Sequence, residues 1–382
     1  MPDVAIIGAG FYGFKPSIPE LSFRELVFEA ARRAYAEAGI DPRKDIASFI
    51  SCQEDFWEGI AIADEFAPEP LGGVLRPTFT VAGDLLQGIA QAYMMIKTGL
   101  FDIVAVESHS KQSDIKTLQE IYELALDPLY LRKLRPPNPL FMAGIDAQAY
   151  MMEAGASEED LALVSVKNRN NGIDNPRASY SSTITLDDVI SSGYYMKPIK
   201  NLEAAGFTDG AVVFVLASSE VARKFTDDPV WVKGIGWSTE TGTGGWNHHV
   251  WGRMISAREA AKQAFKMSGL NLTDMDSIEI EDRFTYLEPL FLDEIGLSTI
   301  GYSVELLRTG DLDKNAHMPV NMSGGSQSIG VLLEATGGAR LLEAYLQLKG
   351  KAGYRHHEVE NALVASWRGP PTYTTSVLIL SR

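Results

Sequence analysis

Ala261 to Leu270 reads AKQAFKMSGL and Ala31 to Ile40 reads ARRAYAEAGI; laid over each other, Ala, Ala, an aromatic and Gly fall in register. Working outward from this pair, the same order of elements surrounds both copies. Val4 to Gly8 is a short apolar run that reads as a buried strand. Ser22, with Glu25 three residues on, fits a capping box opening a helix over Leu26 to Ala38, and Gly39 suits the left-handed position after its last turn. Asp45 to Cys52 is the next expected strand. In the second copy Val230 to Ile235 is a strand, Ser256 and Glu259 open the helix, and Asp276 to Glu281 follows as a strand. A further pair repeats the pattern: helix Leu85 to Gly99 then strand Asp102 to Val106, against helix Leu332 to Gly350 then strand Ala362 to Ser366. Such repetition implies pseudo-two-fold packing, and strands alternating with helices imply an α/β fold with covered sheets.

The boundary between the halves is expected at Phe225 to Pro229, giving domains over 1–228 and 229–382. Within the first half lies an insertion at about 108–200, rich in Pro and Asn, whose composition suggests loops and lids. The chain has 382 residues and a net charge of −16. A field of that sign repels phosphate backbones and anionic lipid, which argues against nucleic-acid or membrane-surface binding. No stretch reaches the length of apolar residues that spans a bilayer. One cysteine, Cys52, allows no internal disulfide, and the N-terminus lacks a signal-peptide pattern, so a cytoplasmic location is expected. Gly8 to Gly13 (GAGFYG) is discounted as a dinucleotide fingerprint, because no helix opens directly after it.

Four further segments carry a resemblance. They are Gly206 to Ala217 (GFTDGAVVFVLA), Lys167-Asn168 with Asn175-Pro176, Glu281 to Gly296 (EDRFTYLEPLFLDEIG) and Asn321 to Gly337 (NMSGGSQSIGVLLEATG). In this order they resemble the DGAAA, KNH…NP, HDCFT and NPSGG…GHPLGATG motifs of the thiolase superfamily, in particular its sterol-carrier-protein type and archaeal members. The resemblance spans nearly the whole chain. It implies the five-layered α/β/α/β/α thiolase fold, a homodimer pairing strands across a two-fold, and coenzyme A or an acyl-CoA as ligand.

The same alignment removes the family's chemistry. That chemistry needs a thiolate at a helix N-terminus, where dipole and free amides lower its pKa. Here the nucleophile position is Ala82, in TVAGDLL, and its neighbours Gly83 and Asp84 are not thiols. The motif's base falls at Val331, its second histidine at Glu281, and the C-terminal Cys-x-Gly loop reads Trp367-Arg368-Gly369-Pro370-Pro371. An acyl-cysteine route is therefore not expected. Cys52 ends a strand and is read as a small buried residue.

What remains supplies acid–base groups. Glu281 and Asp282 stand together at a strand end beside Arg283, and paired carboxylates can be acid or base. Tyr286 and Tyr373 lie near motif loops, and tyrosine can donate a proton in carbon–carbon cleavage. Asp84 reads as a dipole partner of its helix. His248-His249 reads as a loop near the site entrance and His356-His357 as a solvated loop; neither offers a zinc spacing, so no metal is expected. Asn321, Ser323, Gly324, Gly325 and Gly330 keep the family's glycine loop and are expected, with Asp84 and His248, to shape the pocket for the CoA ester. Three functions fit: an acyl-CoA-binding protein without the standard nucleophile, an aldolase or retro-aldolase on an acyl-CoA ester, and a non-catalytic subunit of a thiolase-type complex. A small OB-fold, zinc-ribbon partner protein is implied by relatives of this kind.

Overall fold

The computed structural model describes residues 3–54, 66–115, 140–240, 249–297, 299–369 and 373–382. Its main sheet has the strand order β3-β2-β4-β7-β1-β8-β11-β10-β9. In chain order the strands are β1 (Val4–Lys15), β2 (Ser48–Cys52), β3 (Thr78–Val81), β4 (Ile103–Ser110), β7 (Asp209–Ser218), β8 (Val230–Ser238), β9 (Ser277–Glu279), β10 (Asn361–Trp367) and β11 (Thr375–Ser381), with β5 (Tyr194–Met196) and β6 (Ile199–Lys200) forming a separate ribbon.

The sheet is mixed and built alike in both directions from a short junction, where Ala5 and Ile6 of β1 pair with Trp231 and Val230 of β8. Going out from β1, the steps to β7 and β4 are antiparallel, and those to β2 and β3 are parallel. Going out from β8, the steps to β11 and β10 are antiparallel and the step to β9 is parallel; an isolated parallel bridge between Ile278 and Val320 takes the outermost place.

Helices used below are α1 (Phe23–Ala38), α2 (Leu85–Lys97), α3 (Leu140–Ala154), α4 (Glu158–Asn171), α5 (Ile255–Ser268), α6 (Leu287–Ile295), α7 (Tyr302–Thr309), α8 (Gly325–Ile329) and α9 (Thr336–Leu348). Leu86, Ile89 and Ile96 of α2 share one apolar core with Leu342, Tyr345 and Leu348 of α9 and with inward residues of both sheet halves. Alternation along the strands divides the sheet faces: Val364 and Leu378 enter that central core, while Leu363, Val377 and Ile379 turn to the core under α5. Val27, Ala30 and Ala34 of α1 close the third core against Ala5, Ile7, Val213 and Val215.

Several expectations are corrected. The first strand runs on to Lys15 and takes up the glycine run, because α1 lies directly on it. A Cβ at Gly8 would stand 2.7 Å from the Ala34 carbonyl oxygen, and one at Gly10 would stand 2.2 Å from that of Ala30. The Ser22–Glu25 capping box and the left-handed Gly39 are present. The counterpart at Ser256 is not: α5 starts at Ile255, and the Ser256 amide donates to Glu240 while its hydroxyl meets Thr375. The strand expected at Asp276 to Glu281 is limited to Ser277–Glu279. Within the insertion, the described residues form α3 and α4 as well as turns. α4 is closed in by α7 and α8 and by the 201–203 turn, and Lys167, Asn168 and Arg169 are buried.

Candidate active site

The helix expected to carry a nucleophile is α2, and Asp84 is its N-cap. The Asp84 carboxylate accepts from the amides of Leu86 at 2.9 Å and Gly337 at 2.8 Å, and also bonds Ser366. A Cβ at Gly337 would meet that carboxylate at 2.1 Å, so glycine lets α9 reach it. Asp84 is buried and is occupied as a cap joining α2 to α9. Ala82 lies just before it, exposed, with its carbonyl accepting from Arg368 Nη1 at 3.2 Å. Arg368 also pairs with Glu54, and burial pushes its guanidinium down to about 10.

Cys52 ends β2 and has no exposed surface. It lies under Gly88, where an added Cβ would stand 2.2 Å from its Sγ. Burial, then Glu107 and Asp84, push its thiol well above the ordinary value. A thiol held neutral between a helix and a strand is a packing residue.

Glu281 and Asp282 have separate duties. Glu281 is fully buried and accepts from Arg340 Nη2 at 3.0 Å and Nη1 at 3.1 Å, and from Arg283 Nε at 3.2 Å. Burial would raise its carboxyl, but the two guanidinium groups outweigh it and hold it at about 2. A carboxylate clamped in this way stays ionised and has no proton to give. Asp282 accepts from the amides of Ser326 at 2.7 Å and Gln327 at 3.2 Å and from Asn168 Nδ2 at 2.9 Å. It holds the start of α8, and burial lifts it to about 6.

The glycine loop is consumed internally. Asn321, at φ +52°, accepts from the Ile280 amide at 2.9 Å and donates to Glu288 at 2.7 Å. Ser323 donates to Glu279 from Oγ at 2.6 Å and from its amide at 2.9 Å. Gly324, Gly325 and Gly330 all have positive φ, and a Cβ at Gly325 would lie 2.0 Å from Asp282. Val331 is buried in a bridge, its amide donating to Gly206 and its carbonyl accepting from Thr208. All these groups bind protein atoms of the core.

A second cluster gathers where β10, β11, α3 and α6 converge. His248 lies outside the described residues, which resume at His249. His249 lies in a loop and is buried there. Its Nε2 meets Asp146 Oδ1 of α3 at 3.0 Å, and its Nδ1 faces Glu240 at 3.8 Å. Burial would lower its pKa, but the two carboxylates outweigh that and raise it to about 9, leaving an imidazolium at neutral pH. Its ring stacks on Tyr373 with centroids 4.3 Å apart and meets the edge of Trp251 at 4.7 Å. Tyr373, at φ +47°, is anchored by its amide to the Gly369 carbonyl at 2.8 Å. Its hydroxyl is buried without a hydrogen-bond partner among the described residues, and burial with Asp146 and Glu240 raises its pKa. Trp367, the last residue of β10, tilts against Tyr373 at 5.9 Å. Tyr286, at the start of α6, is fully buried, and its phenol is likewise raised by burial and by Asp146 and Tyr373. Both phenols therefore keep their proton at neutral pH.

The structure thus brings Tyr286 and Tyr373 together and keeps Glu281 and Asp282 in a separate ion-pair network. Asp146 was missed because it lies in a segment read as loop, and Glu240 because charge at a strand end carries no pattern. Among the described residues no cluster of three or more His, Cys, Asp or Glu could hold a metal, and no helix is long and apolar enough to cross a membrane.

Comparison with known proteins bears on the family of the chain. The family described as "Thiolase C-terminal domain-like" matches residues 247–382. The acetyl-CoA acetyltransferase of Methanothermobacter thermautotrophicus is 29% identical, covering all of both chains. Sterol carrier protein 2 of Oryctolagus cuniculus is 30% identical over 96% of this chain and 69% of its own. The solved structure of an Ltp2-ChsH2(DUF35) aldolase superposes with a TM-score of 0.83, at 24% identity, over 99% of this chain and 97% of that one.

Proposed function

The chain belongs to the thiolase superfamily, and we propose that it cleaves a carbon–carbon bond beside an acyl-CoA thioester by acid–base chemistry, as an aldolase of β-hydroxyacyl-CoA esters, and not through an acyl-cysteine. The observation that carries this is Tyr373, whose hydroxyl is buried without a hydrogen-bond partner among the described residues and whose ring stacks on an imidazolium that two carboxylates keep charged. The family route needs a thiol, and the one cysteine of the sequence is buried under α2.

In the proposed reaction Tyr373 relays a proton. The β-hydroxyl of the substrate gives its proton to the phenol oxygen, and the phenol gives its own to Cα. The Cα–Cβ bond breaks, Cβ–O becomes a carbonyl, and a shorter acyl-CoA leaves. Negative charge that develops on the phenol during the exchange lies against the His249 ring, whose own charge Asp146 and Glu240 sustain. Tyr286 is the second phenol of the site and is assigned to the substrate's other face.

The finer architecture belongs to the same proposal. We read the fold as five layers, α/β/α/β/α, because α2 and α9 share one core between the sheet halves. The two domains would be 1–228 and 229–382. The outer edge of β3, with Phe79 40% exposed, is the proposed strand of a homodimer, and a DUF35-type chain is the proposed partner, as in the aldolase complex named above.

The test is direct. A panel of β-hydroxyacyl-CoA esters is incubated with the protein, alone and with a DUF35 partner, and carbonyl product and shortened acyl-CoA are followed by mass spectrometry. Cleavage that falls about 10²-fold or more in Tyr373→Phe supports the proposal. Binding of CoA esters with no cleavage by either preparation leaves only the non-catalytic reading, and cleavage unchanged in Tyr373→Phe removes the relay.

A further inference from the structure

Like Tyr373 Oη, Trp367 Nε1 is one of the buried polar atoms without a hydrogen-bond partner among the described residues, one residue past Ser366, the residue bound to Asp84. Trp367 is 6% exposed and Tyr373 is 1% exposed, so more than nine-tenths of each is buried. An indole N–H only donates. It cannot be satisfied by a neighbouring donor, and buried donors left unmet are uncommon enough to need a reason. The ring is also held still. Its residue pairs with Thr375 in the β10–β11 ladder, and its carbonyl accepts from Arg283 Nη2 at 3.2 Å. Its ring carbons pack 3.3 Å from where a Cβ would sit on Gly369, which has φ +78°.

A fixed donor beside a proton relay is the arrangement that stabilises charge as it forms. We propose that the Trp367 indole N–H binds the thioester oxygen of the substrate as that oxygen takes on enolate charge, so that the site recognises an enolate-like oxyanion. This rests on the acyl-CoA reading above and deepens it. Breaking the Cα–Cβ bond shifts its electron pair toward the thioester carbonyl, and the oxygen carries part of that charge while, in the same step, Tyr373 gives its proton to Cα and takes the β-hydroxyl proton in its place. Tyr373 and Trp367 thus divide the work: one moves the proton, the other holds the oxygen.

The experiment uses S-carboxymethyl-CoA, whose carboxylate stands for the enolate oxygen, with CoA as control. The six tryptophans give six indole signals in the ¹⁵N-labelled full-length protein, and Trp367→Phe identifies one of them; Trp367→Tyr serves if the first variant does not fold. The expected result is a downfield move of the Trp367 indole proton with S-carboxymethyl-CoA and none with CoA. The variant, its fold checked by thermal melting, should bind S-carboxymethyl-CoA about tenfold or more weakly. Binding of the probe with the Trp367 signal unmoved would mean that the N–H meets only resident water, and overturns the inference while leaving the acyl-CoA reading intact. A moved signal with no cleavage of any β-hydroxyacyl-CoA would keep the oxyanion site and sink the aldolase reading. No binding of either compound at millimolar concentration overturns both.

Discussion

A thiol reacts only as far as its surroundings let it ionise, and Cys52 sits where they do not. Iodoacetamide should therefore leave Cys52 unlabelled in the folded protein and label it once in urea; fast stoichiometric labelling of the native state would contradict its placement under Gly88. The expectation that no thiolase nucleophile is present rests on single residues, since Ala82 and Val331 have no group to offer. The role of Glu281 was not legible in this way, because Arg340, which fixes its charge, lies 59 residues away in sequence. The same limit hid His249, whose partner Asp146 lies 103 residues upstream. His249 gives a pH prediction. Its charge is present below its folded value and is lost as pH rises through about 9, so cleavage should fall above that pH. In His249→Gln the alkaline limb should be missing from a profile of kcat/KM; an identical limb in both proteins would remove His249 from the account.

At the scale of elements, helices were legible where they are amphipathic and capped. α1 announces itself by Ser22, Glu25 and Gly39, all of which do what the pattern implies. α4 was missed because it is buried on several sides and carries Lys167, Asn168 and Arg169 inward, so no apolar stripe marks it. The glycine run, discounted as a dinucleotide fingerprint, extends beyond the strand expected at Val4 to Gly8. It is strand, and its glycines let α1 lie on the sheet. Gly10→Ala would drive a methyl group into the Ala30 carbonyl, and overpacking of this kind costs about 1–3 kcal/mol. Urea unfolding should show the midpoint lowered by that loss divided by the unchanged slope, and no shift would mean that α1 stands further from β1 than the strand register implies.

The whole molecule carries buried charge that makes its stability depend on pH in a defined sense. Glu281 and Asp160 are held at about 2, below their unfolded values, so their contribution is present above about pH 4.5 and is lost as pH falls through 2. Asp282 at about 6, Glu203 at about 7 and Glu279 at about 8 are raised by burial, so theirs is present below their unfolded values and is lost as pH rises through the folded ones. His249 adds a loss between its unfolded value and about 9. The melting temperature should therefore peak in mild acid and fall by at least about 5 °C between pH 5 and pH 9 at constant ionic strength. A flat or rising profile over that range would contradict the buried network. The duplicated strand order was legible in the chain because both copies keep the same helix and strand succession. The junction between β1 and β8 was not, since it rests on only two residue pairs.

The most direct test of the account compares the rate at which the wild-type protein and Cys52→Ala cleave a β-hydroxyacyl-CoA into a carbonyl compound and a shorter acyl-CoA. The account predicts equal rates, because no bond to sulfur forms at any step. Loss of cleavage in a Cys52→Ala protein that folds and binds CoA normally, with an acyl group found on Cys52 of the wild type, would contradict it.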